Sequence, residues 1–132
     1  MNVTVDTNVL VRAAVRDNAH QARLADEILR KATVVVVCLP SLCEFVWVLG
    51  KRYKFNPAAI AQAVEWLCDA SNVSTDRPAV DAGLAVLRSG GDFADGVIAY
   101  EGAWLGGETF VSFDRIAVAA VAKGGQKAKL LR

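Results

Sequence analysis

Two apolar rhythms alternate along this chain. Val3 and Val5, set between polar neighbours, predict a strand over 3–6, and a short helix follows from about Val9. From His20 to Lys31 the apolar residues Ala22, Ala25, Ile28 and Leu29 recur at helical spacing. The run TVVVVCLP is continuous and β-branched, the pattern of a parallel strand buried on both faces. Pro40 ends it and is suited to opening a helix. Ser41 to Tyr53 then places Leu42, Phe45, Val46 and Leu49 on one helical face. Asn56-Pro57 starts another helix, which carries Ile60, Val64 and Leu67 and runs to about Ala70. NVSTD fits a short strand. Pro78 to Arg88 is helical and stops at Ser89-Gly90-Gly91; Phe93 to Leu105 is helical and stops at Gly106-Gly107. ETFVSFD reads as a strand, Ile116 to Ala122 as a helix ended by Gly124-Gly125, and KAKLLR as a last edge strand. Strands alternating with helices predict an α/β fold with a mostly parallel sheet and helices on both faces.

Length and composition narrow this picture. At 132 residues the chain fits a single domain, 1–132, able to bury a core without disulfides or structural metal. The hydrophobic fraction of 54% exceeds the usual range of roughly 45–50%, so some apolar surface is expected to serve another chain. No apolar run reaches the ~18–20 residues of a membrane span, and the N-terminus lacks the pattern of a signal peptide. Cys38, Cys43 and Cys68 form no C-x-x-C pair and read as unpaired core thiols of a reducing, cytoplasmic protein. A formal charge of +1 gives no global basic signature, so any polyanion must be held by a local patch or by bound cations.

The chemistry-bearing residues are acids at the ends of predicted strands. Sites in open α/β sheets form outside the carboxyl ends of the strands. Asp6 closes the first strand, Glu44 lies one turn into the helix after the second, Asp92 and Asp95 open the helix after Gly90-Gly91, and Asp114 closes the TFVSFD strand. Singly, each has a plain role. SLCE, Ser41 to Glu44, matches a capping box, DFAD matches an N-cap Asp with an acid at the third helical position, and Asp6 and Asp114 suit caps. Jointly, carboxylates sharing one edge would repel one another and push a pKa up unless divalent cations sat among them. Helical spacing also groups Asp95 with Ile98, Ala99, Gly102, Ala103 and Gly106 on a packed face of small residues.

At these residues the sequence resembles the PIN-domain family, and most closely the VapC-type toxins of toxin–antitoxin pairs. VDTNVLVR at 5–12 resembles the family's opening motif, LPSLCEFVWVL at 39–49 its second block, DFADGVIA at 92–99 its third and TFVSFDR at 109–115 its fourth. Gly96 departs from the usual alanine, a change not expected to touch the chemistry. The resemblance covers essentially the whole chain. It implies a three-layer α/β/α sandwich around a parallel sheet and a metal-dependent endoribonuclease, homodimeric and held inactive by a cognate antitoxin. The reaction it implies is phosphodiester hydrolysis by water activated at Mg²⁺ or Mn²⁺. Asp6 and Asp95 would be direct ligands, and Glu44 would bind through water or orient the nucleophile. Asp114 and Asp92 would complete the shell or hold a second ion. Asn8 and Ser112 would orient these groups from behind, although Asn8 also suits an N-cap and Ser112 a plain strand residue.

Substrate contacts are expected from Arg12 and Arg115. Lys51, Arg52 and Lys54 cluster around Tyr53 at a helix end, where a basic terminus is also favoured by the helix dipole. His20, the one histidine, gives poor support to a Ser-His-Asp mechanism and reads as a surface residue. Trp47, Trp66 and Trp104 read as core or interface anchors. A phosphotransferase of the D-x-D type would need an acid where Asn8 stands, and neither G-x-G-x-x-G nor a P-loop is present. A non-catalytic RNA- or protein-interaction domain on the same fold is the remaining alternative, and the complete set of acids argues against it.

Overall fold

The computed structural model describes all residues, Met1–Arg132, and divides them into two compact units, Met1–Asp76 and Arg77–Arg132. In the first unit the order is β1 (Asn2–Thr4), α1 (Thr7–Val15), α2 (Ala19–Lys31), β2 (Val34–Val36), α3 (Leu39–Lys51), α4 (Pro57–Asp69) and β3 (Val73–Ser74). The strands form a parallel sheet in the order β1-β2-β3, with Val3 opposite Val35 and Val35 opposite Val73. Val35 and Val37 are fully buried, as a β-branched run in a central strand should be. Pairing outlasts the strands: Val5 N–H donates to Val36 at 3.2 Å and Val37 N–H to Ser74 at 3.0 Å. Helix α1 packs on α2 and α3, and α3 packs on α4, which buries Leu10, Leu42, Phe45, Leu49, Ile60 and Val64. Because β1 and β2 run parallel and in register, α1 and α3 both leave the sheet from its carboxyl edge.

The second unit contains α5 (Arg77–Arg88), α6 (Phe93–Trp104), β4 (Phe110–Ser112), α7 (Arg115–Lys123) and β5 (Ala128–Leu130). β4 and β5 pair in parallel, Phe110 opposite Ala128 and Ser112 opposite Leu130. Helices α5 and α6 make the closest packing of the unit. A Cβ added at Gly96 would stand 2.4 Å from the Ala82 carbonyl oxygen and 2.8 Å from Gly83 Cα, so the two backbones touch where no side chain fits. Opposite, a Cβ at Gly83 would meet the Phe93 ring at 2.7 Å. The beginning of α6 is thereby pinned to α5.

Helices dominate and every strand pairing is parallel, the α/β class that the alternation predicts. No helix is long and apolar enough to cross a membrane. Several local expectations are corrected. Helix α1 begins at Thr7, before Val9, because Asp6 caps it. Helix α3 begins at Leu39: Pro40 sits in its first turn, where its missing N–H costs nothing. Ser41 and Glu44 therefore lie inside that helix, and the expected capping box does not form. On α6 the buried residues are Phe93, Gly96, Val97 and Ala99, whereas Ile98, expected inward, is 55% exposed. The tryptophans are not core: Trp47, Trp66 and Trp104 are all exposed. Of the cysteines only Cys68 is buried, and none forms a disulfide.

Candidate metal centre

In the first unit Asp6 lies two residues beyond β1, at the N-cap of α1. Its Oδ1 accepts the Thr7 N–H at 2.8 Å. A carboxylate has two oxygens, and the cap uses one; Oδ2 is left for an outside partner. Asn8 is exposed in the first turn of the helix, and the capping role it suited belongs to Asp6. Glu44 is exposed in the second turn of α3.

In the second unit the same division of labour recurs. Asp92 caps α6, its Oδ1 accepting the Ala94 N–H at 3.4 Å. Asp114 caps α7, with Oδ1 accepting from Ile116 at 2.9 Å and Ala117 at 3.2 Å. The Ser112 hydroxyl accepts the Asp114 N–H at 3.0 Å and so fixes the turn that aims this acid. Ser112 is thus more than a plain strand residue. Asp95, in the first turn of α6, is half-buried, and its carboxyl is held above the usual range. Burial is the largest cause, followed by the charge of Asp92 and then that of Asp114. These acids are therefore electrical neighbours, gathered where α6 and α7 begin.

Hard, anionic oxygens with like-charge repulsion among them are the donor set that suits a divalent cation. No three His, Cys, Asp or Glu side chains are grouped closely enough to cage an ion alone. The helix starts add their own positive ends, which favour the acids but do not neutralise a charge as an ion would.

The expected substrate residues fare differently. Arg115 is exposed at the first position of α7. Arg12, near the end of α1, has its Nη1 2.7 Å from Asp17 Oδ1, and the Tyr53 hydroxyl donates to Asp17 Oδ2 at 3.2 Å. Hydrogen bonding of Arg12 to Asp17, and next to Tyr53, raises the Arg12 pKa. Tyr53 is thus tied to an acid and is not a free stacking platform amid Lys51, Arg52 and Lys54. Sequence reasoning passed over Asp17. Its one signal was an acid in a predicted turn, five residues after Arg12. His20 is exposed, as expected.

The profile of the PIN domain family matches residues 3–123. No curated protein matches the chain. PIN domains are typically nucleases that bind RNA and generally use divalent metal ions.

Proposed function

The chain belongs to the PIN-domain family, and from that premise we propose that it is a metal-dependent endoribonuclease, the toxin of a toxin–antitoxin pair, acting as one nuclease domain over 1–132. The observation that carries the reading is Asp95, a half-buried acid whose electrical neighbours are other acids. A fold that keeps such a group against repulsion has a use for its charge.

Asp6 and Asp95 are assigned as direct ligands of Mg²⁺ or Mn²⁺, with Glu44, Asp92 and Asp114 completing the shell. The ion, when bound, supplies Lewis acidity toward the phosphate and lowers the pKa of water. The chain's own groups do the rest. Asp6, Asp92 and Asp114 are held rigid by spending one oxygen on a helix N–H. Ser112 positions Asp114 through its backbone, and Asn8 lies in the turn that follows Asp6. Glu44 orients the attacking water, and Arg12 and Arg115 meet the phosphates of the RNA.

A homodimer, a cognate antitoxin and a cytoplasmic location complete the proposal. Exposed Trp104, Leu105, Val111, Phe113 and Ile116 supply apolar side chains that a protein partner could cover. The decisive test is RNA cleavage with Mg²⁺ or Mn²⁺ by the purified chain and by Asp6→Asn and Asp95→Asn. The reading expects cleavage by the first and not by the variants, all three folded; unaltered cleavage by either variant rules it out. Expressed alone, the chain should arrest growth, and the product of the adjoining gene should relieve the arrest. Harmless expression of folded, active chain would remove the toxin assignment and leave the nuclease.

A further inference from the structure

Between α1 and α2 lies a cleft of about 430 Å³ that Arg12 and Asn8 share with residues given no role so far, Val9, Gln21, Leu24 and Ile28. It falls in the size range of small-ligand sites. Its walls are of two kinds. Val9, Leu24 and Ile28 are apolar, and Leu24 is 53% exposed, so this apolar wall is open to water. Asn8, Gln21 and Arg12 supply two amides and a guanidinium.

We infer that this cleft is a nucleotide subsite, taking one base and its phosphate from the RNA next to Asp6. The inference rests on the nuclease reading for the identity of the RNA. A base offers a flat face and a hydrogen-bonding edge. The apolar wall matches the face, and an amide, carrying both donors and an acceptor, matches the edge. Arg12 matches the phosphate. Its fork has five N–H donors; Asp17 and Tyr53 engage part of it, and the remaining donors suit a phosphate.

Asp17 is itself held from the far side by Tyr53, at the end of α3. An arginine anchored by a carboxylate that is anchored by a hydroxyl is set before the ligand arrives, which lowers the ordering cost of binding. Position supports the same conclusion. Asn8, on the cleft wall, stands in the first turn of α1, the helix that Asp6 caps.

A larger cavity in this unit, about 510 Å³ and lined by groups such as Leu10, Phe45, Phe55 and Leu67, makes a useful contrast. Its lining is mostly apolar, with Arg16 and Asp26 paired to each other at 2.8 Å. It offers a nucleotide no uncommitted amide. The smaller cleft has amides on its walls.

The test uses the full chain without metal, titrated with the four nucleoside 5′-monophosphates and followed by NMR. Saturable shifts at Asn8, Gln21 and Leu24, larger for one base than for the others, are expected. Gln21→Leu and Leu24→Asp alter exposed positions on α2 and should leave the fold intact. They should weaken this binding by roughly tenfold. In RNA cleavage with metal their loss should fall mainly on KM, with an altered base preference next to the cut. RNA cleaved by both variants with unchanged KM and preference, or shifts confined to other surfaces, overturns the inference and leaves the nuclease reading in place. Nucleotides bound in the cleft of a chain that cuts no RNA with metal would sustain the site and sink the nuclease.

Discussion

Asp17 and Asp95 both stand close to a helix start, one in each unit, and their surroundings push them in opposite directions. Around Asp17, partial desolvation alone would raise the carboxyl, but hydrogen bonds from Arg12 and Tyr53 outweigh it and hold the group below its ordinary value. Around Asp95, burial raises the carboxyl, and Asp92 and Asp114 raise it further. The first acid is structural glue: its charge is spent inside the fold on named partners. The second keeps a charge that the fold resists. A site is recognised by this contrast better than by a count of acids, since capping acids occur in both units.

The largest effect should come from removing the unspent charge. Asp95→Asn keeps the shape and hydrogen-bonding edge of the side chain yet should lower RNA cleavage by more than ~100-fold, beyond the loss usual for groups behind a metal ligand. Asp17→Asn should act on RNA binding through Arg12, with a loss of roughly tenfold in kcat/KM carried mainly by KM. Steady-state cleavage rates of the two variants measure the contrast directly. Equal losses in kcat would erase the distinction between them.

Next in size is a packing change behind Asp95. Gly96→Ala drives a Cβ to 2.4 Å from the Ala82 carbonyl oxygen. Overpacking of this kind costs ~1–3 kcal/mol, against a gain of up to ~1 kcal/mol in helix propensity. A lower midpoint in urea unfolding is expected. Cleavage should also fall, because α6 must back away from α5 and carry Asp92 and Asp95 with it. An alanine that leaves stability untouched would mean that the close approach does not hold these acids in place. Ser112→Ala is milder. It removes the acceptor for the Asp114 N–H, bonded at 3.0 Å, and should cost cleavage about tenfold, as supporting hydrogen bonds near metal ligands do. Unfolding midpoints should hardly move.

Much of this was legible from residue order, for reasons that differ by region. The Val34–Val37 run announced a buried parallel strand because β-branched side chains lose χ1 freedom in a helix and pack well on a pleated surface. The capping roles of Asp6, Asp92 and Asp114 were legible because strand ends and helix starts leave short sequence marks. The capping-box reading of Ser41 and Glu44 failed because Pro40 is tolerated inside a first turn, so the helix could start earlier. The inward face of α6 was misread because VIAYEGAW is apolar nearly all round. With so little amphipathic contrast, tertiary packing against Gly83 decides which side is buried. The exposed tryptophans carry the same lesson: apolar character alone does not say whether a neighbour is part of the same chain. The Arg12–Asp17–Tyr53 chain could not be read from sequence, because it joins the end of α3 to the α1–α2 turn across 36 positions.

The smallest effect separates the two acids by sign. A carboxyl with a raised folded pKa, as at Asp95, costs the native state nothing when protonated in acid. Its contribution is lost as pH rises through the folded pKa, because only the folded form then resists the charge. A carboxyl with a lowered folded pKa, as at Asp17, contributes stability above its ordinary value and loses it as pH falls through the folded one. At neutral pH in a metal chelator, Asp95→Asn should therefore unfold at a higher temperature than the natural chain, by an amount within ~1 kcal/mol once solvent screening is allowed for. Asp17→Asn should unfold at a lower temperature. The Asp95 difference should vanish as pH falls below the ordinary carboxyl value, and the Asp17 difference only as pH falls further, through its lowered folded pKa. Adding Mg²⁺ at neutral pH should then raise the unfolding temperature of the natural chain and of Asp17→Asn but leave Asp95→Asn nearly where it was, since a bound ion stabilises only the form able to hold it. If Asp95→Asn is the less stable protein in chelator at neutral pH, the crowding of like charge at the start of α6 does not strain the fold, and Asp95 belongs with Asp17 as glue.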